Sequence, residues 1–193
     1  MSFTSRSASL CSSLALALLV VALAGPEARA QIFDYAVQDP GSSGALGSAV
    51  ASIGDLDADG CEDFAVGEPN ATVNGVPGTG IVYLISGKTG APIDSVAGKP
   101  GENFGASVAG HLDIDADGFL DVLIGAPLQS GFAFEGGEIY VYSPHLHSIV
   151  LFWYSGGAGY HMGACVRSLE ADADGDGYVD FLVGEPGGDG ATL

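Results

Sequence analysis

Basic residues are nearly absent. Lys and Arg number five among 193 residues against 24 Asp and Glu, for a formal net charge of −19. Arg6 and Arg29 fall in the first thirty residues, which leaves Lys88, Lys99 and Arg167 for everything downstream. Such a chain has no basic patch to attract nucleic acid or an anionic lipid surface, so those partners are excluded. Cysteine is scarce too. Beyond Cys11 only Cys61 and Cys165 remain, at non-equivalent places, which is not the even and regular set of a disulfide framework; both are expected as free thiols. Long apolar runs are missing after Ala24, because Gly, Pro or Asp interrupts each one, and no membrane insertion is expected beyond the leader. No stripe of 3.6-residue period is long enough for a helix. The signatures G-x-S-x-G and H-E-x-x-H are absent, so neither a nucleophile elbow nor a zincin site is expected.

The beginning reads as a targeting segment. Arg6 supplies positive charge, Leu14 to Ala24 is an unbroken apolar run, and Ala28-Arg29-Ala30 places small residues at a cleavage point. That run is 11 residues long, whereas spanning a bilayer takes about 20. Residues 1–30 are therefore expected to be a secretory signal cleaved after Ala30, with a secreted or cell-surface product. Cys11 precedes the apolar core, which argues against a lipoprotein anchor.

Aspartate, by contrast, is abundant and regularly placed. The pattern D-x-D-x-D-G-x-x-D occurs at Asp55–Asp63, at Asp113–Asp121 and at Asp172–Asp180. Four carboxylates within nine residues repel one another by roughly 1–4 kcal/mol per close pair at partly solvated sites. A compact loop of this composition needs a cation, and all-oxygen donors point to calcium. Side chains at positions 1, 3, 5 and 9 can converge on one ion, the backbone carbonyl at position 7 can add an oxygen, and glycine at position 6 permits a sharp turn. The position-7 residue is then free to vary: Cys61, Phe119 and Tyr178 stand there. An EF-hand would need Glu at position 12 and flanking helices, but position 12 is Val66, Ile124 and Val183.

The loops belong to a longer repeat. Gly47, Gly105 and Gly163 stand 58 residues apart, and the third copy has one extra residue between Gly163 and Asp172. After each loop comes a short apolar run ending in Gly-x-Pro: Gly67-Glu68-Pro69, Gly125-Ala126-Pro127 and Gly184-Glu185-Pro186. Further β-branched and aromatic runs follow at Ile81–Ile85 and Ile93–Val96, and again at Ile139–Tyr142 and Ile149–Tyr154. Short apolar runs bounded by Gly, Pro, Asn and Asp are strands and turns. Four antiparallel strands per period make one blade of a β-propeller. The expected fold is all-β, with repeats at about 44–100, 101–158 and 159–193, the acidic loop joining the first two strands of each blade. Residues 31–193 hold about 2.8 periods, fewer than the four blades of the smallest closed propellers. The expectation is a truncated part of a longer propeller, or an open fan pairing its edge strands with another chain. Ile32–Val37 reads as an outer strand separated from its blade.

The motif Phe104-Gly105, then the acidic loop, then Gly125-Ala126-Pro127 resembles the FG-GAP repeat of integrin α-subunit propellers and of secreted bacterial proteins. The resemblance covers almost all of residues 32–190 and implies a calcium-binding β-propeller. It implies ligands at Asp55, Asp57, Asp59 and Asp63, at Asp113, Asp115, Asp117 and Asp121, and at Asp172, Asp174, Asp176 and Asp180. Leu46 and Met162 stand where the family has Phe, each keeping an apolar plug. Glu68 and Glu185 replace the Ala of G-A-P, with added surface charge expected.

The functional expectation is a calcium-stabilised adhesion or ligand-binding module without enzymatic activity, recognising a protein or glycan; the alternative is the non-catalytic propeller portion of a secreted hydrolase or lyase. The loops account for nearly all paired acids, leaving no free catalytic pair. His145 and His147 sit two apart and are read as turn and strand-start residues, since no third metal ligand is evident. His111 and His161 are read as surface or blade-packing residues. Phe152, Trp153 and Tyr154 are expected to pack in a blade core, with a sugar-stacking platform as the alternative.

Overall fold

A computed structural model describes residues 44–131 and 133–188. The signal segment, its cleavage point and Ile32–Val37 lie outside the described residues. Ten strands and no helix are present among those described. β1 (Ala49–Ser52), β2 (Phe64–Glu68), β3 (Ile81–Ile85) and β4 (Pro92–Ala97) form one antiparallel sheet in that order. β5 (Ser107–Leu112), β6 (Asp121–Ala126), β7 (Glu138–Ser143) and β8 (Ser148–Tyr154) form a second of the same topology. β9 (Cys165–Ser168) pairs with β10 (Phe181–Gly184) as the first half of a third. The first two are the four-stranded blades expected from the repeat, and among the described residues the sheets do not close into a ring.

Burial explains the composition of the middle blade. Every residue of β6 and β7 is buried, and successive side chains of a strand point to opposite faces. Val122, Ile124, Tyr140 and Tyr142 join Ile53, Val82 and Leu84 in a core with the first blade. Leu123, Ile139 and Val141 join Val166 and Met162 in a core with the third. A strand covered on both faces reads as a continuous apolar run rather than an alternating one, as Val122-Leu123-Ile124 does.

The F-G and G-x-P elements meet across blades. A side chain at Gly67 would lie 2.1 Å from the carbonyl oxygen of Gly105, and one at Gly125 would lie 2.0 Å from that of Gly163. The FG glycine of each blade thus rests on the G-x-P glycine of the preceding one, a spacing only hydrogen on Cα allows. Within a blade the same motifs are tied together, Gly47 N–H donating to Gly67 O at 2.9 Å and Gly105 N–H to Gly125 O at 3.0 Å. Phe104 is wholly buried between the first two blades, while Leu46 and Met162 are half-buried.

Two expectations need correction. Glu68 is not a surface charge: it is 3 % exposed, covered where Gly44 packs on its side chain. Glu185 is exposed as expected. Phe152, Trp153 and Tyr154 are not blade-core residues either. They lie on the outermost strand β8 and are exposed, because no further strand pairs with β8 among the described residues; Trp153 does reach Phe181, at 5.6 Å between ring centres. Cys61 and Cys165 are free thiols.

Candidate metal centres in the blade hairpins

Each acidic loop connects the first two strands of its blade, and its conformation is built by the aspartates themselves. In the first loop, Asp59 N–H donates to Asp55 Oδ1 at 3.0 Å and to Asp57 Oδ1 at 3.1 Å, and Gly60 N–H donates to Asp55 Oδ2 at 2.9 Å. Cys61 N–H donates to Asp59 Oδ1 at 2.9 Å, and Leu56 N–H to Asp63 Oδ2 at 2.7 Å. The second loop repeats the set with Asp113, Asp115, Asp117 and Asp121 as acceptors. The third repeats it with Asp172, Asp174, Asp176 and Asp180. Short carboxylates that bond nearby backbone N–H groups hold a turn that neither sheet nor helix could supply. Asp172 is thereby held below the usual carboxylate range, the N–H of Gly177 contributing most and that of Gly175 next.

These bonds converge three carboxylates in every loop. One oxygen from each of Asp55, Asp57 and Asp63 lies within 4.8 Å of the others, as for Asp113, Asp115 and Asp121, and for Asp172, Asp174 and Asp180. The position-5 residues Asp59, Asp117 and Asp176 are not part of these groups; one oxygen of each is occupied by the position-7 N–H. Burial is graded. Asp63 and Asp121 at position 9 are fully buried beneath the loop, whereas Asp180 is half-buried, with no third strand described beside β10. At position 7, Cys61 is half-buried, and Phe119 and Tyr178 are exposed.

The two complete blades differ at one atom. Asp63 Oδ1 accepts from Gly87 N–H at 2.9 Å. Asp121 Oδ1 is buried without a hydrogen-bond partner, because the turn residue equivalent to Gly87 is Pro144, which has no N–H. Burial, followed by the repulsion of Asp115, Asp117 and Asp113, pushes the Asp121 carboxyl up to about 6. A buried carboxylate among three others, with one oxygen lacking a donor, calls for a positive partner. The donor set is all oxygen and mostly anionic, which fits calcium.

The third loop accommodates its additional residue before the ligating region. Glu170 takes a left-handed conformation, φ 53°. Leu169 N–H and Asp180 O then pair at 2.9 Å on one side of it, and Asp180 N–H and Ala171 O at 3.0 Å on the other. The bond from Ala173 N–H to Asp180 Oδ2, 2.7 Å, matches its counterparts in the other loops.

The histidines separate. His145 stacks on Phe119 with centroids 3.8 Å apart, while His147 Nδ1 meets Asp94 Oδ2 at 2.9 Å. The two rings thus take different partners, although both line one cavity with Asp55, Asp94 and Phe119. A further cluster went unseen in the sequence: His111 Nε2 lies 2.8 Å from Glu62 Oε1 and 3.2 Å from Ser52 Oγ, and Ser52 donates to the same Glu62 oxygen. The Ser52 hydroxyl is the main reason the Glu62 carboxyl lies below its usual value. Both partners use one imidazole nitrogen, so the ring cannot relay a proton from serine to acid as a hydrolytic triad does. The cluster ties the first blade to the second. Ser52 and His111 are about one repeat apart, the one sequence signal that could have suggested their meeting.

The FG-GAP repeat family model matches residues 46–85 and 104–142. Integrin alpha-IIb of Homo sapiens is 38% identical over 93 residues, which is 43% of this chain and 8% of that protein. Integrin alpha-3 of Cricetulus griseus is 34% identical over 94 residues, 44% of this chain and 8% of that protein. Integrin alpha-PS2 of Drosophila melanogaster is 33% identical over 147 residues, 69% of this chain and 10% of that protein. The chain thus spans a tenth or less of the length of these relatives.

Proposed function

We propose, from the premise that this is an integrin-α-like FG-GAP repeat protein, that its blades bind calcium and serve an extracellular adhesion or ligand-binding role. In the first loop, Asp55, Asp57, Asp59 and Asp63 with the Cys61 carbonyl would hold one ion. Asp113, Asp115, Asp117 and Asp121 with the Phe119 carbonyl would hold the second. The third would lie among Asp172, Asp174, Asp176, Asp180 and the Tyr178 carbonyl. A bound ion supplies charge neutralisation and crosslinks the two strands of the hairpin. The position-5 carboxylates would join each group by exchanging the bond from the position-7 N–H for the cation.

The observation that carries this reading is the threefold recurrence of one convergent carboxylate geometry, with a donorless buried oxygen at Asp121. Delivery to the cell exterior would rest on residues 1–30 as a signal cleaved after Ala30, and the partner would be a protein or glycan met through blade loops. Because the unfolded chain binds calcium poorly, each occupied site adds to folding stability. Extracellular calcium modules work near 10⁻⁴–10⁻³ M, so 10 mM calcium should add about 1.4–2.7 kcal/mol per site. The test is a melt of the full chain in EDTA and in 10 mM calcium. A melting temperature indifferent to the exchange would refute the assignment.

A further inference from the structure

Away from the acidic loops, the connection between the first and second blades carries a buried cluster of ionisable groups. Glu102 lies in this connection and is 1 % exposed; Glu138 and Tyr140 lie on β7 and are 3 % and 2 % exposed. The Tyr140 hydroxyl is 2.8 Å from Glu102 Oε2 and also 2.8 Å from Glu138 Oε2. Lys99, in the same connection, brings Nζ to 2.9 Å from the Tyr140 oxygen and 3.3 Å from Glu138 Oε2. The Lys99 backbone N–H donates to Glu102 Oε1.

Counting protons decides the protonation state. A phenol has one proton to donate and can accept two bonds, an ammonium only donates, and an ionised carboxylate only accepts. Tyr140 therefore cannot donate to both glutamates. Glu138 Oε2 already accepts from the Lys99 ammonium, and it is the acceptor of the phenol hydrogen bond as well. The contact between Glu102 Oε2 and the Tyr140 oxygen then requires a proton on Glu102. With it in place, every position is filled: Tyr140 accepts from Lys99 and Glu102 and donates to Glu138.

We propose that Glu102 is held as a neutral carboxylic acid, and that its proton pins the connection between the first two blades to β7. The groups that face it are Lys99 from the connection itself and Glu138 and Tyr140 from β7. Burial raises the Glu102 carboxyl above its ordinary value; the bonds from Lys99 and Tyr140 and the Lys99 charge oppose this, and the charge of Glu138 adds to it. A folded value above the unfolded one means that the pin is complete at low pH and loosens as pH rises through the folded value. The consequence for the molecule is a blade junction whose rigidity is linked to proton binding, independently of calcium.

The experiment is a carboxyl ¹³C NMR titration of the full chain from pH 4 to 9 in saturating calcium, together with melts of Glu102→Gln and Glu102→Ala. The Glu102 signal should titrate above the exposed glutamates. Glutamine, which keeps a donor toward Tyr140, should hold the melting temperature at the alkaline end at or above that of the parent and flatten its decline with rising pH. The alanine variant should melt lower at every pH. Titration of Glu102 together with the exposed glutamates would overturn the proposal, as would a glutamine variant as unstable as the alanine one. Should neither variant fold, the titration of the unaltered chain decides alone.

Discussion

Asp121 illustrates how a single backbone N–H sets the chemistry of a loop. Pro144 withholds the donor that Gly87 provides to Asp63, and the carboxyl is pushed up to about 6. Without calcium, the folded protein keeps this proton at pH values where the unfolded chain has lost it. The stability it contributes is present at low pH and lost as pH rises through about 6. Calcium must displace the proton, so affinity at the second loop should fall by up to about tenfold per pH unit below 6. Calorimetric titration at pH 5 and 7 checks this, and Asp121→Asn should abolish the step along with binding at that loop. A second residue-scale prediction concerns position 4. Ala58 and Ala116 are left-handed, φ 58° and 59°, where the third loop has Gly175 at φ 86°. Left-handed alanine costs roughly 1 kcal/mol, so Ala116→Gly should stabilise the protein by about 0.5–1 kcal/mol in a denaturant titration, part of the relief being lost to greater freedom of the unfolded chain. The sequence offered position 6 as the glycine turn; that position 4 is also left-handed was hidden, because alanine does not advertise it.

At the scale of the element, the repeat works by contact between like motifs on successive blades. The Gly125 Cα approaches the Gly163 carbonyl so closely that a methyl group there would lie 2.0 Å from oxygen. Gly125→Ala should therefore cost at least about 1–3 kcal/mol, the usual range for an overpacked interior, measurable as a lower melting temperature with calcium present. Phe104 is enclosed by two blades, and Phe104→Ala should cost about 3–5 kcal/mol. The equivalent truncation at Leu46 should cost less, since it is only half-buried. Strand positions and the hairpin placement of the acidic loops were legible from the sequence, because alternating turn residues and apolar runs report local geometry. The burial of Glu68 and the exposure of Phe152, Trp153 and Tyr154 were not. Their surroundings depend on residues far along the chain and on which sheet faces are covered.

For the molecule as a whole, the described blades leave open faces. Val50 on β1 and Leu182 on β10 are more than half exposed, while their counterparts in the middle blade are buried. The middle blade should accordingly be the most protected part. Amide hydrogen exchange in calcium should show β6 and β7 slowest and β1 and β10 fastest, and equal protection across the three sheets would contradict this arrangement. Calcium binding should reach three ions per chain, with the third loop weakest because Asp180 is less enclosed than Asp63 and Asp121.

The amino-acid order alone determined the repeat, the all-β character, the free cysteines and the acidic loops, since each follows from spacing or composition within a few residues. Net charge acts at long range whatever the fold, and this is the ground on which the sequence argues against nucleic acid and anionic lipid as partners. Only the tertiary structure decided that Asp121 Oδ1 lacks a donor while Asp63 Oδ1 has one, that His145 and His147 take different partners, and that Glu102 and Glu138 share one phenol. Burial and hydrogen-bond satisfaction are properties of surroundings assembled from distant segments, so they come into being when the blades pack.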